Sequence, residues 1–147
     1  GAPTEAARST GMAVTAVGQG TVLLVEDEPA LRGLASRVLE KSGYRVLQAR
    51  SGPEALDIWR QHGERIDLLL TDMVMPEGID GRELADRLTA EKPTLKVVYT
   101  SGYSPEAVAK GHRFERANFL PKPYSPAALT QTVATCLGRV SIGQILN

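Results

Sequence analysis

The chain has 147 residues, and its 17 lysines and arginines balance 17 aspartates and glutamates, so the formal net charge is zero. This length suits one domain with a sizeable core, and the charge balance indicates no nucleic-acid or anionic-membrane partner. A single cysteine, Cys136, excludes an intrachain disulfide framework, and no apolar run is long enough to span a bilayer. The N-terminus also lacks a signal-peptide pattern, so we expect a cytoplasmic soluble domain without direct membrane contact.

The chain divides into three parts by composition. Residues 1–19 are rich in small residues and have no steady apolar period, which is typical of a linker or an expression-derived flexible segment. Residues 20–138 alternate between apolar strand-like runs and helical patterns, and residues 139–147 form a short tail. We therefore predict one folded domain over 20–138 with a segment on either side.

Five short runs predict β-strands at residues 21–25, 44–49, 66–71, 95–100 and 117–120, and three of them are continuous aliphatic runs. The second run is the most mixed, as is typical of an edge strand. Helices are predicted between the strands by their start signals. Ser51 and Glu54 match a capping box, and Asp80 can cap the third helix, with Glu83 three residues later. This alternation predicts an α/β fold, a doubly wound five-stranded parallel sheet with helices on both faces.

In such a sheet the functional groups gather at the carboxyl ends of the strands. Those ends supply Glu26, Asp27, Asp72, Thr100 and Lys122. Clustered carboxylates raise one another's pKa unless a cation lies between them, and Mg²⁺ binds such oxygen ligands together with phosphate oxygens. Lys122 can balance the remaining charge, while Asp72 can attack phosphorus as a nucleophile. The pattern is typical of phosphoryl-transfer chemistry.

Four separated segments at these strand ends resemble the motifs of response-regulator receiver domains, the CheY-like superfamily: residues 23–28, 71–76, 100–103 and 119–124. The resemblance covers residues 20–138 and implies a flavodoxin-like sheet with strand order 2-1-3-4-5. It also implies that Asp72 accepts a phosphoryl group from phosphohistidine. Mg²⁺ would be held by the side chains of Asp27 and Asp72, the backbone carbonyl of Val74, and Glu26 through water.

The same resemblance implies a switch. Thr100 and Lys122 would contact the phosphoryl group, and Thr100 and Phe119 would move with it. Their movement would change the face formed by the fourth helix, fifth strand and fifth helix, which would also be the face of a homodimer. The implied partners are a histidine kinase or histidine phosphotransfer domain, with no nucleic acid. The Lys122–Pro123 peptide bond would be cis, and the domain's own chemistry would be limited to self-phosphorylation and autodephosphorylation.

Two departures from the common pattern bear on the subfamily. Glu26 stands where the family often has aspartate, and the segment from Asp72 to Gly81 is one residue longer than in short single-domain members. The longer loop resembles that of receivers in bacterial hybrid sensor histidine kinases. The other domains of such a parent kinase would then be partners of this one.

Other readings stay open from the residues alone. A free-standing single-domain regulator fits the same motifs, and Phe119 is also compatible with an ordinary core position. An aspartyl-phosphate phosphatase would need Asp-x-Asp after the first strand, where this chain has Glu26, Asp27 and Glu28. A flavin binder would need a phosphate-binding loop there, and a phosphorylation-independent interaction domain would not need the site residues. We interpret Glu28 as a first-turn acid of the following helix and Asp67 as the entry of its strand at the opposite edge.

Overall fold

The computed structural model describes residues 19–75, 78–101 and 119–137. The strands in these ranges are β1 (Thr21–Val25), β2 (Arg45–Ala49), β3 (Leu68–Asp72), β4 (Lys96–Ser101) and β5 (Phe119–Pro121). The helices are α1 (Pro29–Lys41), α2 (Gly52–His62), α3 (Gly81–Glu91) and a final helix (Pro126–Leu137), with a 3₁₀ turn at Gly63–Arg65. The predicted flanking segments 1–19 and 139–147 lie outside these ranges except for Gln19, so their boundaries stay predictions.

The five strands form one parallel sheet in the order β2-β1-β3-β4-β5. This confirms the predicted doubly wound topology, and β2 lies at the edge as its mixed composition predicts. The register brings Val25 of β1 beside Thr71 of β3, and Asp72 beside Thr100 of β4. The carboxyl ends of the three central strands therefore meet at one edge of the sheet.

Alternating side chains of the strands form a core on each face of the sheet. Leu23 and Leu69 belong to the cluster that α2 and α3 cover, whereas Val22 and Leu70 belong to the cluster that α1 and the final helix cover. All four of these side chains are at most 1% exposed. Helices on both faces, as predicted, explain why the central strands are continuous aliphatic runs.

The predicted strand boundaries need correction at β3. The aliphatic run begins at Ile66, but the strand begins at Leu68 and extends through Asp72. Asp67 precedes it, and its carboxylate accepts a hydrogen bond of 2.9 Å from the backbone N–H of Thr21. This places Asp67 at the amino edge of the sheet, as interpreted. Of the predicted run 117–120, residues 117 and 118 lie outside the described ranges.

The helix starts follow the predicted caps. The Ser51 hydroxyl accepts from the Glu54 N–H, and an Asp80 carboxylate oxygen accepts from the Glu83 N–H. The capping box differs in one detail, because the Glu54 carboxylate accepts from the N–H of Arg50 rather than that of Ser51. Glu28 occupies the N-cap position of α1 without a side-chain cap bond, which corrects its interpretation as a first-turn acid.

The predicted fourth helix lies between β4 and β5, outside the described residues, so the predicted switch face is described only through β5 and the final helix. The Lys122–Pro123 peptide bond is cis, as the resemblance implied. Within the described ranges, each helix is too short or too polar to cross a membrane.

Candidate functional site

The ends of β1 and β3 bring three carboxylates together. Glu26, Asp27 and Asp72 each offer one oxygen, and these three oxygens all lie within 4.8 Å of one another. Glu26 and Asp72 are 3% and 9% exposed, whereas Asp27 is exposed. The backbone explains this placement, because the N–H of Glu26 continues the β1–β2 ladder by donating to the carbonyl of Ala49. The edge of the sheet therefore carries a compact acidic pocket with one open side.

Lys122 supplies the positive charge of this pocket. Its Nζ lies 2.9 Å from Oδ2 of Asp72 and 2.9 Å from Oε1 of Glu26. The residue follows β5, and its backbone N–H donates to the carbonyl of Ser101 at the end of β4. This hydrogen bond fixes the backbone of Lys122 beside the end of β4. One ammonium group joins the two buried carboxylates.

The balance of burial and pairing sets the protonation states of this pair. Burial raises the pKa of Glu26, and the hydrogen bonds from Lys122 and from the Glu28 N–H offset only part of that increase. Burial alone would lower the pKa of Lys122, but its hydrogen bonds to Asp72 and Glu26 outweigh burial and raise it. The lysine is therefore a firm cation at neutral pH.

Thr100 lies directly beside the acidic pocket. It is 3% exposed and stands opposite Asp72 in the β3–β4 register, and its carbonyl accepts from the Met73 N–H over 2.9 Å. Phe119 lies on the neighbouring strand β5, opposite Tyr99 of β4, and is partly buried. The structure thus brings Thr100 to the site and places Phe119 at the start of the strand that leads to Lys122.

The donor set fits a hard divalent cation. Mg²⁺ in proteins takes one or two carboxylates and keeps several water molecules, and this pocket offers an exposed carboxylate on Asp27 beside the less exposed Asp72. Val74 is 54% exposed, in the segment that leaves β3. Asp27 and Asp72 are therefore the residues that would hold the ion.

Two neighbours of the pocket were missed in the sequence. The Arg32 guanidinium donates from Nη1 to the backbone carbonyl of Glu26 over 2.8 Å, which ties α1 to the end of β1. Tyr124 is partly buried, and burial followed by the nearby Glu26 charge raises its pKa to about 12. An arginine one turn into the helix after an acidic strand end is a signal for the first contact. No local pattern marks the second.

A groove lies elsewhere on the described part of the chain. It measures about 870 Å³, lies between α2, the 3₁₀ turn and α3, and is lined by residues that include Trp59 and Lys92. None of the predicted site residues lines it. The groove is therefore separate from the acidic pocket.

A sequence profile of the response regulator receiver domain matches residues 22–134. The chain is 42% identical over 121 residues to the sensor kinase CckA of Brucella abortus (strain 2308), an alignment that covers 82% of this chain and 13% of that kinase. It is 39% identical over 104 residues to the response regulator receiver protein CpdR of the same strain, covering 70% of this chain and 84% of that protein.

Solved structures give the same result. The crystal structure of the receiver domain from the hybrid histidine kinase CckA matches with a TM-score of 0.67 and 38% identity, covering 80% of this chain and 99% of that one. A response regulator receiver protein from Sinorhizobium medicae WSM419 matches with a TM-score of 0.73 and 28% identity, covering 83% and 98%. The chain belongs to the response regulator receiver domain family, and it resembles the receiver of a hybrid histidine kinase.

Proposed function

We propose that this domain is the phosphoacceptor of a two-component phosphorelay, with Asp72 as the residue that is modified. The observation that supports this most directly is the pairing of Asp72 with Lys122 inside a three-carboxylate pocket. A carboxylate this well enclosed is rare without a paired charge, and here the pair lies where a metal site also fits. A purely structural ion pair would not need Asp27 beside it.

The chemistry would transfer a phosphoryl group from a phosphohistidine of a partner. An oxygen of Asp72 forms the new bond to phosphorus, the bond between phosphorus and the imidazole nitrogen breaks, and that nitrogen keeps the electron pair. Lys122 would move from pairing the Asp72 oxygen to pairing a phosphoryl oxygen, since its Nζ already lies 2.9 Å from that carboxylate. Mg²⁺, when bound by Asp27, Asp72 and the Val74 carbonyl, would supply charge neutralisation, and Glu26 would act through water.

The switch would begin at Thr100. Thr100 stands opposite Asp72 in the β3–β4 register, so it lies beside the residue that would be modified. Bonding of the Thr100 hydroxyl to a phosphoryl oxygen would shift the population of the face that includes β5 and the final helix, with Phe119 following. That face would contact kinase or phosphotransfer partners or a second copy of the domain.

We infer that this domain is a cytoplasmic part of a hybrid sensor histidine kinase, because it resembles the receiver of such a kinase over 80% of its length. The kinase activity and the signal would then belong to other domains of that parent. A second candidate is a free-standing receiver protein. The likeness to CpdR favours it, since the alignment covers 84% of that protein.

The test is phosphorylation by acetyl phosphate with Mg²⁺, followed by intact-mass measurement. We expect a gain of one phosphoryl group in the wild type and in Asp67→Asn, and no gain in Asp72→Asn. Asp67→Asn is the matched control, because Asp67 stands just before the amino end of the same strand and asparagine keeps an acceptor for the Thr21 N–H. An equal gain in Asp72→Asn would contradict the assignment of the phosphoacceptor.

A further inference from the structure

Residues 78–80, the segment that leads into α3, rest directly on the first turn of α2. A Cβ atom added at Gly52 would lie 2.6 Å from Cγ1 of Ile79 and 2.8 Å from the Ile79 carbonyl oxygen. Both distances are shorter than any ordinary van der Waals contact. The second involves backbone, which cannot rotate away. Gly52 is thus the residue that lets this segment sit against the helix.

A second glycine supports the same contact from the other side. Gly78 has a φ of +66°, in the left-handed region, and a Cβ added there would lie 3.0 Å from Cγ of Pro53. The two facing segments therefore meet through Gly52 and Pro53 on one side and Gly78 and Ile79 on the other. The Ile79 side chain also packs against the core cluster that α2 and α3 cover.

The residues that follow Ile79 contact the backbone at Asp72 and Met73. Asp80 caps α3, and the N–H of Gly81 donates to the carbonyl of Met73 over 2.9 Å. A Cβ added at Gly81 would lie only 2.0 Å from the carbonyl oxygen of Asp72. Only one residue, Asp80, thus separates the contact with α2 at Ile79 from the contact with Asp72 at Gly81. A displacement of the Ile79 carbonyl would therefore be transmitted to Gly81 and to the Asp72 backbone.

We propose that Gly52 is a positioning residue for the metal site at Asp72, acting through Ile79, Asp80 and Gly81. This inference rests on the proposed function. The three atoms nearest to a Cβ added at Gly52 all belong to Ile79, and the contribution of Gly52 is the absence of a side chain. Because Gly52 has no Cβ atom, the segment can pack close to α2. That packing sets the position of the Asp72 backbone, and so the position of one of the carboxylates that would bind the metal.

The test substitutes alanine at two glycines in the intact chain. Gly52→Ala adds a methyl group against Ile79, whereas Gly33→Ala in α1 adds the same group where nothing lies within 4 Å. We expect the Mg²⁺ dissociation constant, measured by titration calorimetry, to rise about tenfold in Gly52→Ala, the low end of the range for changes that disturb ligand orientation. Gly33→Ala should keep the wild-type constant within about twofold.

A second readout separates positioning from simple destabilisation. In phosphorylation by acetyl phosphate, the half-saturating Mg²⁺ concentration of Gly52→Ala should rise by the same factor, while the rate at saturating Mg²⁺ stays close to wild type. A variant that merely unfolds in part would lose rate at all Mg²⁺ concentrations in proportion to its unfolded fraction. Adding Ile79→Ala to Gly52→Ala removes the nearest clashing atoms and should recover part of the affinity.

The inference is overturned if Gly52→Ala binds Mg²⁺ as tightly as Gly33→Ala does. If Gly52→Ala does not fold, Ile79→Ala alone loosens the same contact, and an unchanged dissociation constant in that variant overturns the inference equally. Failure of the proposed function has a different signature. The wild type would then gain no phosphoryl group, while the calorimetric comparison of the two alanine variants would still report on the seat of the segment.

Discussion

The ammonium of Lys122 lies 2.9 Å from a carboxylate oxygen of Glu26, a side chain that is only 4% exposed. A carboxylate so far removed from water needs a fixed cation or a proton. The same ammonium also bonds Asp72, so a single charge serves two acids while Asp27 stays beside them. The pocket is therefore left with excess negative charge, which favours a divalent cation.

Removal of the Lys122 charge should destabilise the fold. Lys122→Met leaves Glu26 and Asp72 without their cation, and we expect the free energy of unfolding at pH 7 to fall by about 1–3 kcal/mol, below the range for fully buried pairs because the lysine is partly exposed. Urea unfolding measures this. Lys41→Met, at an exposed position in the last turn of α1, is the control and should change it by under about 0.5 kcal/mol.

The destabilisation caused by Lys122→Met should increase with pH. The pKa of Glu26 is raised above 4.5, so its ionisation costs stability as the pH rises through that region. Without Lys122 this penalty grows, and the difference between Lys122→Met and wild type should be larger at pH 7 than at pH 4. A difference that is equal at both values, or larger at pH 4, would mean that the lysine does not stabilise the ionised carboxylates.

Mg²⁺ should stabilise the protein through Asp27. A ligand that binds only the folded state at about 100 times its dissociation constant adds about 2.7 kcal/mol to the free energy of unfolding. We expect Mg²⁺ to raise the melting temperature of the wild type and of Glu28→Gln, and to have little effect on Asp27→Asn. An equal response in Asp27→Asn, measured by calorimetric melting with and without Mg²⁺, would remove Asp27 from the metal site.

Tyr124 should limit stability at alkaline pH. Burial, and then the charge of Glu26, raises its pKa from 10.0 to about 12, so the folded state favours the neutral phenol. The stabilisation this gives is complete below pH 10 and is lost as the pH rises toward 12. Between pH 9 and 11 the wild type should lose roughly 1 kcal/mol more stability than Tyr124→Phe, measured by urea unfolding. Parallel losses in the two proteins would show that this tyrosine titrates normally.

Lys92 should stabilise the far end of the sheet independently of the site. Its Nζ donates to the carbonyls of Ile66 over 2.6 Å and Glu64 over 3.1 Å, where the 3₁₀ turn leads into β3. Lys92→Met keeps the apolar stem but removes the ammonium group that donates to these carbonyls. We expect the free energy of unfolding to fall by about 1–2 kcal/mol. Lys96→Met, at an exposed strand position, is the control. Acetyl phosphate should still modify both variants, since neither residue borders the acidic pocket.

Much of the fold could be predicted from local pattern. The run at β1 has four aliphatic residues after Thr21 and is then acidic, so both its end and the position of Glu26 were evident. At β3 the same pattern began two residues early, because Ile66 is fully buried without belonging to the strand. Apolar character reports burial, whereas a strand boundary is set by backbone pairing with the neighbouring strand.

The site followed a similar division. The sequence by itself determined that Asp27, Asp72, Thr100 and Lys122 stand at or just after strand ends, since each follows its own apolar run. Only the tertiary structure decided that one ammonium group bridges Glu26 and Asp72, and that the bare α-carbon of Gly52 seats the segment after β3. These contacts join residues far apart in the chain, and their distances depend on how helices pack on the sheet, which no local periodicity encodes.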